Sequence, residues 1–207
     1  MAKARDLTLL LVRSCFTEWD DSGRLVGASD LPMCENGRAA LEQALDELGP
    51  FDLDVVLCSP DESSAAAARI LAGAANARVR ELAGLSEVSL GLWEGLRQSD
   101  LAERYPTVYG QWVADPSSVQ VPGGESFAQA EQRIIEGLRR GLEKTKARDT
   151  RIGVVVRPMA WAMIRCRLTS TPTRRLWEVL RDAPLADWFE IERGQLQGAT
   201  DLIGVQS

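Results

Sequence analysis

The chain has 207 residues, of which 45% are apolar and 26% charged, and its formal net charge is −6. A chain of this length can bury most of its apolar surface in one core, so we predict a single domain over residues 1–207. The acidic balance disfavours nucleic acid and anionic membrane surfaces, because their phosphate groups would repel it. No apolar run approaches the roughly 20 residues of a membrane span, and we expect a cytoplasmic protein.

Histidine is absent from the sequence, and the cysteines are widely separated. Histidine is the side chain that titrates between about pH 5 and 8 without perturbation, so a hydrolase built on this chain needs another base or nucleophile. Cys15, Cys34, Cys58 and Cys166 form no Cys-x-x-Cys pair, so we expect reduced thiols rather than a disulfide framework. The sequence predicts no metal site and no cofactor.

The elements predicted from the first part of the chain alternate between strand and helix. Leu7–Val12 is a continuous apolar run, which favours a strand buried on both faces of a parallel sheet. Residues 35–49 place their apolar side chains on one helical face and end at a glycine that precedes proline. Asp54–Ser59 repeats the strand pattern, and the next helix is predicted to begin at Pro60 with Ser59 as its cap.

The alternation continues in the second half of the chain. Ser126 and Gln129 have the spacing of a capping box, which predicts a helix to about Lys146. Arg151–Arg157 predicts a third buried strand. Together these elements predict an α/β fold, a three-layer sandwich whose central, mainly parallel sheet carries helices on both faces. Functional residues are then expected beyond the carboxyl ends of the strands.

The segments between these elements carry a family pattern. "RSCFTEWDDSGRLVGASDLPMCENGRAAL", residues 13–41, resembles the opening of the histidine phosphatase superfamily, the phosphoglycerate-mutase-like proteins. That opening reads Arg-His-Gly-Glu-Thr-x-Trp-Asn, then Gly-Arg-x-x-Gly and Asp-x-Pro-Leu-Thr-x-x-Gly, and the matching residues are Arg13, Thr17, Trp19, Gly23, Arg24, Gly27, Asp30, Pro32 and Gly37. The resemblance continues in order through "CSPDESSAAAARILA", "LSEVSLGLWEGL", "RYPTVYGQW", "PGGES" and "PTRRLWEV". It implies a phosphoglycerate-mutase-like fold, with phosphomonoester hydrolysis or mutase activity in active members.

The resemblance also implies where catalytic groups would lie, and the sequence departs from the family at those positions. The histidine that becomes phosphorylated in the family corresponds to Ser14. The arginine that binds the phosphoryl oxygens corresponds to Ser63. The second histidine corresponds to Pro158 or, with a gap of one residue, to Arg157. Ordinary phosphohistidine chemistry is therefore not expected of this chain.

Two residues of the family site are retained. Arg13 is in register, and Glu87 matches the acid that protonates the leaving group in many members. We therefore expect a reduced anion pocket formed by Arg13, Ser14, Ser63, Glu87 and Arg157. Two roles remain open for Arg13: its planar guanidinium binds an anion, or it pairs with a carboxylate such as Glu87.

Three functional hypotheses follow from these substitutions. The first is a pseudophosphatase that binds phosphate, a phosphorylated small molecule or a protein partner. The second is an enzyme with altered chemistry in which Ser14 or Cys15 is the nucleophile, although no base that would activate a serine is apparent. The third is an interaction subunit whose pocket is closed by Trp161. The sequence leaves open whether the chain forms a homodimer.

Overall fold

The computed structural model describes residues 6–14, 16–146, 149–192 and 196. Cys15, one of the two suggested nucleophiles, lies outside the described residues. The strands are β1 (Asp6–Arg13), β2 (Val55–Cys58), β3 (Arg78–Glu81), β4 (Arg151–Val156) and β5 (Ala186–Glu192). The α-helices are α1 (Glu18–Asp21), α2 (Glu35–Glu47), α3 (Glu62–Ala75), α4 (Gln98–Arg104), α5 (Pro106–Ala114), α6 (Phe127–Glu143), α7 (Pro158–Leu168) and α8 (Leu176–Asp182). Among the described helices, none is long and apolar enough to cross a membrane.

The strands form one sheet in the order β3-β2-β4-β1-β5. Neighbouring strands are parallel except for β5, which runs antiparallel to β1 at the edge. The predicted mainly parallel sheet is thus confirmed. Arg13 pairs with Val156, and Cys58 pairs with Val155, so β1, β2 and β4 end at the same edge of the sheet. The residues that follow these three strands are therefore brought together.

Helices cover both faces of the sheet, as the sequence predicts. Leu9 and Leu11 of β1 belong to an apolar cluster with residues of α6 and α7. Leu10 and Val12 belong to a second cluster with residues of α2 and α3. Successive side chains of a strand point to opposite faces, so a strand buried on both sides must be apolar at every position. This requirement explains why residues 9–12 of β1 are all apolar.

The helix after β2 begins later than the sequence predicts. Ser59 extends the β-ladder instead of capping the helix, because its N–H donates to the carbonyl of Val155 at 3.1 Å. The N-cap is Asp61, whose carboxylate accepts a hydrogen bond from the N–H of Ser64 at 2.9 Å. The predicted Ser59 cap and the helix start at Pro60 were therefore wrong. Aspartate is itself a preferred N-cap residue, and it lies closer to the first helical N–H groups.

Helix α6 is fixed at its start and packs closely on the loop that leads to Glu87. The predicted capping box is confirmed, since Ser126 and Gln129 exchange side-chain and backbone hydrogen bonds, and the helix ends at Glu143 rather than near Lys146. A Cβ atom on Gly137 of α6 would lie only 2.8 Å from the Cα of Gly84. Helix and loop therefore approach at a distance that only glycine permits.

Candidate anion site

Three polar residues follow the ends of the parallel strands. Ser14, Ser59 and Arg157 come directly after β1, β2 and β4, and they are 3%, 0% and 3% exposed. Ser14 Oγ, Ser59 Oγ and Arg157 Nε have no hydrogen-bond partner among the described residues. Buried polar atoms are usually hydrogen-bonded, so a group of unpaired ones at a strand edge indicates a place where a polar ligand binds.

Arg157 is the buried cation of this edge. It is the N-cap residue of α7, and its side chain reaches α3, where Nη1 donates to Ser63 Oγ at 3.2 Å. Its Nη2 lies 3.6 Å from Oδ2 of Asp20, an oxygen that also accepts hydrogen bonds from the N–H and hydroxyl of Thr17. The hydroxyl of Ser63 is neutral and the Asp20 oxygen lies beyond hydrogen-bond distance, so the guanidinium is paired with a carboxylate but incompletely hydrogen-bonded.

Glu87 places a carboxylate at the N-terminus of α7. Its Oε2 accepts from the N–H of Met159 at 2.8 Å, and its Oε1 accepts from Ala160 at 2.9 Å and Val88 at 2.8 Å. Burial raises the pKa of Glu87 to about 7, which outweighs the lowering by these N–H donors and by Arg157. Glu87 can therefore gain or lose a proton near neutral pH.

Arg133 of α6 positions the loop that carries Glu87. It donates to the carbonyls of Ser86 at 2.8 Å and Glu87 at 3.2 Å, and it pairs with the carboxylate of Glu125. Glu125 in turn accepts the N–H of Ser89 at 3.0 Å. Arg133 was not predicted from the sequence, because contacts with carbonyls more than 40 residues away leave no local pattern.

Two cavities meet at Arg157 and Glu87, which line both. The first has a volume of about 360 Å³ and is also lined by Pro158 and by aromatic side chains, namely Tyr109, Trp112 and Trp177. It combines apolar walls with a few charged groups, as is usual for small-molecule sites.

The second cavity has a volume of about 310 Å³, and most of its lining residues carry polar or charged side chains. They include Asp30, Asp61 and Ser59. Within the described ranges, no group of three or more histidine, cysteine and acidic residues is arranged to hold a metal ion.

The remaining predicted residues lie further from the cavities. Arg13 donates through Nη1 to the carbonyl of Leu180 in α8 at 2.8 Å, and its guanidinium carbon lies 5.6 Å from the ring centre of Trp161. Trp161 is fully buried in the core, where its Nε1 lies 3.4 Å from the carbonyl of Leu11. In the described part of the chain, neither cavity is lined by Arg13, Ser14 or Trp161. Of the residues predicted for the site, the structure therefore brings together Ser63, Glu87 and Arg157.

Comparison with known proteins places the chain in a family. Residues 9–201 match the histidine phosphatase superfamily (branch 1), and the chain belongs to this superfamily. It is 29% identical over 169 residues to phosphoserine phosphatase 1 of Hydrogenobacter thermophilus, covering 82% of this chain and 79% of that protein. It is 32% identical over 148 residues to an acid phosphatase of Mycobacterium tuberculosis, covering 70% and 68%. Its fold is similar to that of YhfR from Bacillus stearothermophilus, with a TM-score of 0.73, 23% identity and coverage of 82% and 83%.

Proposed function

We propose that the protein is a pseudophosphatase: it keeps the histidine phosphatase fold, lacks phosphohistidine chemistry and binds a phosphorylated or other anionic ligand through Arg157. The observation that carries this proposal is the incompletely hydrogen-bonded guanidinium of Arg157, buried where two cavities meet. A planar guanidinium binds phosphate through two parallel N–H donors, and water exclusion strengthens that contact. The aromatic walls of the first cavity suit the organic part of such a ligand.

Phosphoryl transfer is disfavoured by the residues that replace the family's catalytic groups in this chain. The chain has no imidazole, and Ser14 Oγ has no hydrogen-bond partner in the described part of the chain that could take its proton. Ser63 contributes no charge where the family pattern has an arginine. Loss of one such electrostatic group lowers the rate by about 10²–10³, and these losses act on the same transition state.

Calorimetric titration with phosphate, vanadate and phosphosugars tests the proposal, together with a phosphomonoester assay in the absence of metal. We expect binding without turnover. Arg157→Gln should abolish binding, whereas Arg181→Gln, which removes a guanidinium that is 70% exposed, should leave it unchanged. Metal-free multiple turnover by the wild-type protein would overturn the pseudophosphatase assignment, and equal binding by Arg157→Gln would overturn the role of Arg157.

The alternative is a phosphatase-like enzyme with Ser14 or Cys15 as nucleophile. It draws support from Glu87, whose pKa of about 7 suits a proton donor at neutral pH. This alternative predicts a covalent phosphoryl adduct after reaction with an aryl phosphate, detected by intact mass and lost in Ser14→Ala or Cys15→Ala. If the wild-type protein forms no adduct, this alternative is wrong.

A further inference from the structure

The exposed apolar side chains of the protein concentrate around α5. Seven large apolar or aromatic side chains are exposed in the described ranges, and three of them are Tyr105, Val108 and Val113, which are 57%, 38% and 53% exposed. All three lie on the nine-residue helix α5 or directly before it. Single exposed apolar residues are common on protein surfaces, whereas a concentration on one short helix indicates a place where another molecule binds.

This exposed surface continues into the first cavity, which is lined by Tyr109, Trp112 and Val113 of α5. Tyr105 lies four positions before Tyr109, and Val108 lies four positions before Trp112. Side chains four positions apart on a helix are neighbours, so apolar surface runs from the cavity along α5 to the solvent. The nine residues of α5 span about 14 Å. We call these five side chains the α5 face.

The charged groups of the first cavity are largely committed to the protein itself. Asp20 and Glu87 oppose Arg24 and Arg157, so the charges of the described lining residues balance. Asp20 accepts a backbone N–H and a hydroxyl, Glu87 accepts three backbone N–H groups, and Arg24 donates to a backbone carbonyl at 2.6 Å. Of the buried side-chain polar atoms of these lining residues, only Arg157 Nε lacks a partner in the described ranges. The cavity therefore offers a ligand one unsatisfied polar group and apolar surface beside it.

We infer that the ligand is an amphiphilic phosphate, a monoester of a long aliphatic alcohol, whose phosphoryl group binds Arg157 and whose chain lies along the α5 face. This inference rests on the proposed binding of an anion at Arg157. A compact organic group would fill the cavity of about 360 Å³ but would leave Tyr105 and Val108 exposed. An aliphatic chain covers this apolar surface and needs no hydrogen-bond partner, whereas a sugar or an amino acid would bury polar groups against it.

The test compares two ligands that differ only in chain length. Ethyl phosphate and octyl phosphate carry the same phosphoryl group, but only the octyl chain is long enough to follow α5 out of the cavity. Below the critical micelle concentration, we expect the wild-type protein to bind octyl phosphate about 100-fold more tightly in calorimetric titration, because the additional CH₂ groups are partly buried. Arg157→Gln should lose both ligands, since the chain alone does not replace the phosphoryl contact.

Val108 and Val79 provide a matched pair of variants. Val108 is a 38% exposed residue of the α5 face, and Val79 is a 37% exposed residue of the edge strand β3. Neither lines a described cavity, so both variants should bind ethyl phosphate as the wild-type protein does. Val108→Gln should weaken octyl phosphate binding by about fivefold, and Tyr105→Ser should weaken it in the same direction. Val79→Gln should leave octyl phosphate binding unchanged.

The outcomes separate this inference from the proposal beneath it. Equal affinity of the wild-type protein for both ligands would overturn the aliphatic ligand and leave the anion site standing. An undiminished preference for octyl phosphate in both Val108→Gln and Tyr105→Ser, or octyl phosphate binding that survives in Arg157→Gln, would also overturn it. If neither ligand binds, the anion site fails and this inference fails with it. A wild-type dimer in sedimentation that Val108→Gln dissociates, without any effect of chain length, would assign the α5 face to a second copy of the chain instead.

Discussion

Arg157 donates a hydrogen bond to Ser63 across 3.2 Å, so a cation at the end of β4 contacts the first turn of α3. From the sequence we predict that Ser63 occupies the position of the family's arginine, whereas Arg157 lies at the strand end. On this prediction, the same edge of the sheet carries a positive charge supplied by another element.

Replacing Arg157 should separate ligand binding from stability. We expect Arg157→Met to lose phosphate binding while its free energy of unfolding stays within about 1 kcal/mol of wild type or rises, because a poorly paired buried charge is costly. Asp20 remains hydrogen-bonded to Thr17 in the variant. Urea unfolding and calorimetry on the same preparation check both parts. A variant that is several kcal/mol less stable would contradict this description of Arg157.

Glu87 should make stability depend on pH. Burial raises its pKa from 4.5 to about 7 in the folded chain, so the folded form retains a proton that the unfolded chain releases between these values. The resulting stability is complete below pH 4.5 and is lost as the pH rises through about 7, by on the order of 3 kcal/mol. Urea unfolding from about pH 5 to 8 measures this change, which Glu87→Gln should remove.

A matched variant controls for the loss of one carboxylate. Glu42 is an exposed residue of α2 that pairs with Arg38, so Glu42→Gln should keep the wild-type dependence of stability on pH. Parallel curves for the wild-type protein and Glu87→Gln would show that Glu87 does not titrate as described.

The close approach of α6 to the Glu87 loop should be sensitive to a single methyl group. We expect Gly137→Ala to lower the free energy of unfolding by about 1–3 kcal/mol, because its Cβ would overlap the backbone of Gly84. Gly110→Ala is the control: a Cβ there meets nothing within 4 Å, so better helix propensity should stabilise α5 by up to about 1 kcal/mol. Urea unfolding measures the free energy of unfolding of both variants. Equal stability of Gly137→Ala and Gly110→Ala would contradict the close contact between α6 and Gly84.

The described cysteines should differ in reactivity. Burial raises the pKa of Cys58 to about 12 and that of Cys166 to about 11, so both are almost entirely protonated thiols near neutral pH. Cys34 is only partly buried. Iodoacetamide at about pH 8 should therefore label Cys34 before Cys58 and Cys166, as peptide mass spectrometry can measure. Labelling in urea should be uniform, and rapid labelling of Cys58 in the folded protein would contradict its burial.

The sequence predicts the buried centre of the sheet better than its edges. The central residues of β1, β2 and β4 are apolar because both faces of these strands are covered. β3 and β5 were not predicted from the sequence. β3 reads Arg-Val-Arg-Glu with mostly exposed side chains, and β5 mixes charged and aromatic residues. An edge strand is stabilised by pairing with a strand that lies elsewhere in the sequence. The residue pattern of the edge strand itself therefore does not predict it.

The candidate site was predictable in composition but not in its contacts. The position of Arg157 at a strand end followed from the pattern of β4, yet its contact with Ser63 joins residues 94 positions apart. The carboxylate of Glu87 likewise meets N–H groups of α7 more than 70 residues away. The packing of the helices decides which donor meets which acceptor over such separations. The local residue pattern of a single sequence does not show this packing.

The contact between Arg157 and Ser63 limits which side chains position 63 can accept. An arginine there would bring a second guanidinium beside the first inside a buried space, and like charges repel most strongly there. Ser63→Arg should therefore destabilise the protein more when Arg157 is present than when Arg157 has been replaced by an uncharged residue. The two positions are coupled by charge, so substitutions at them will not be additive in stability.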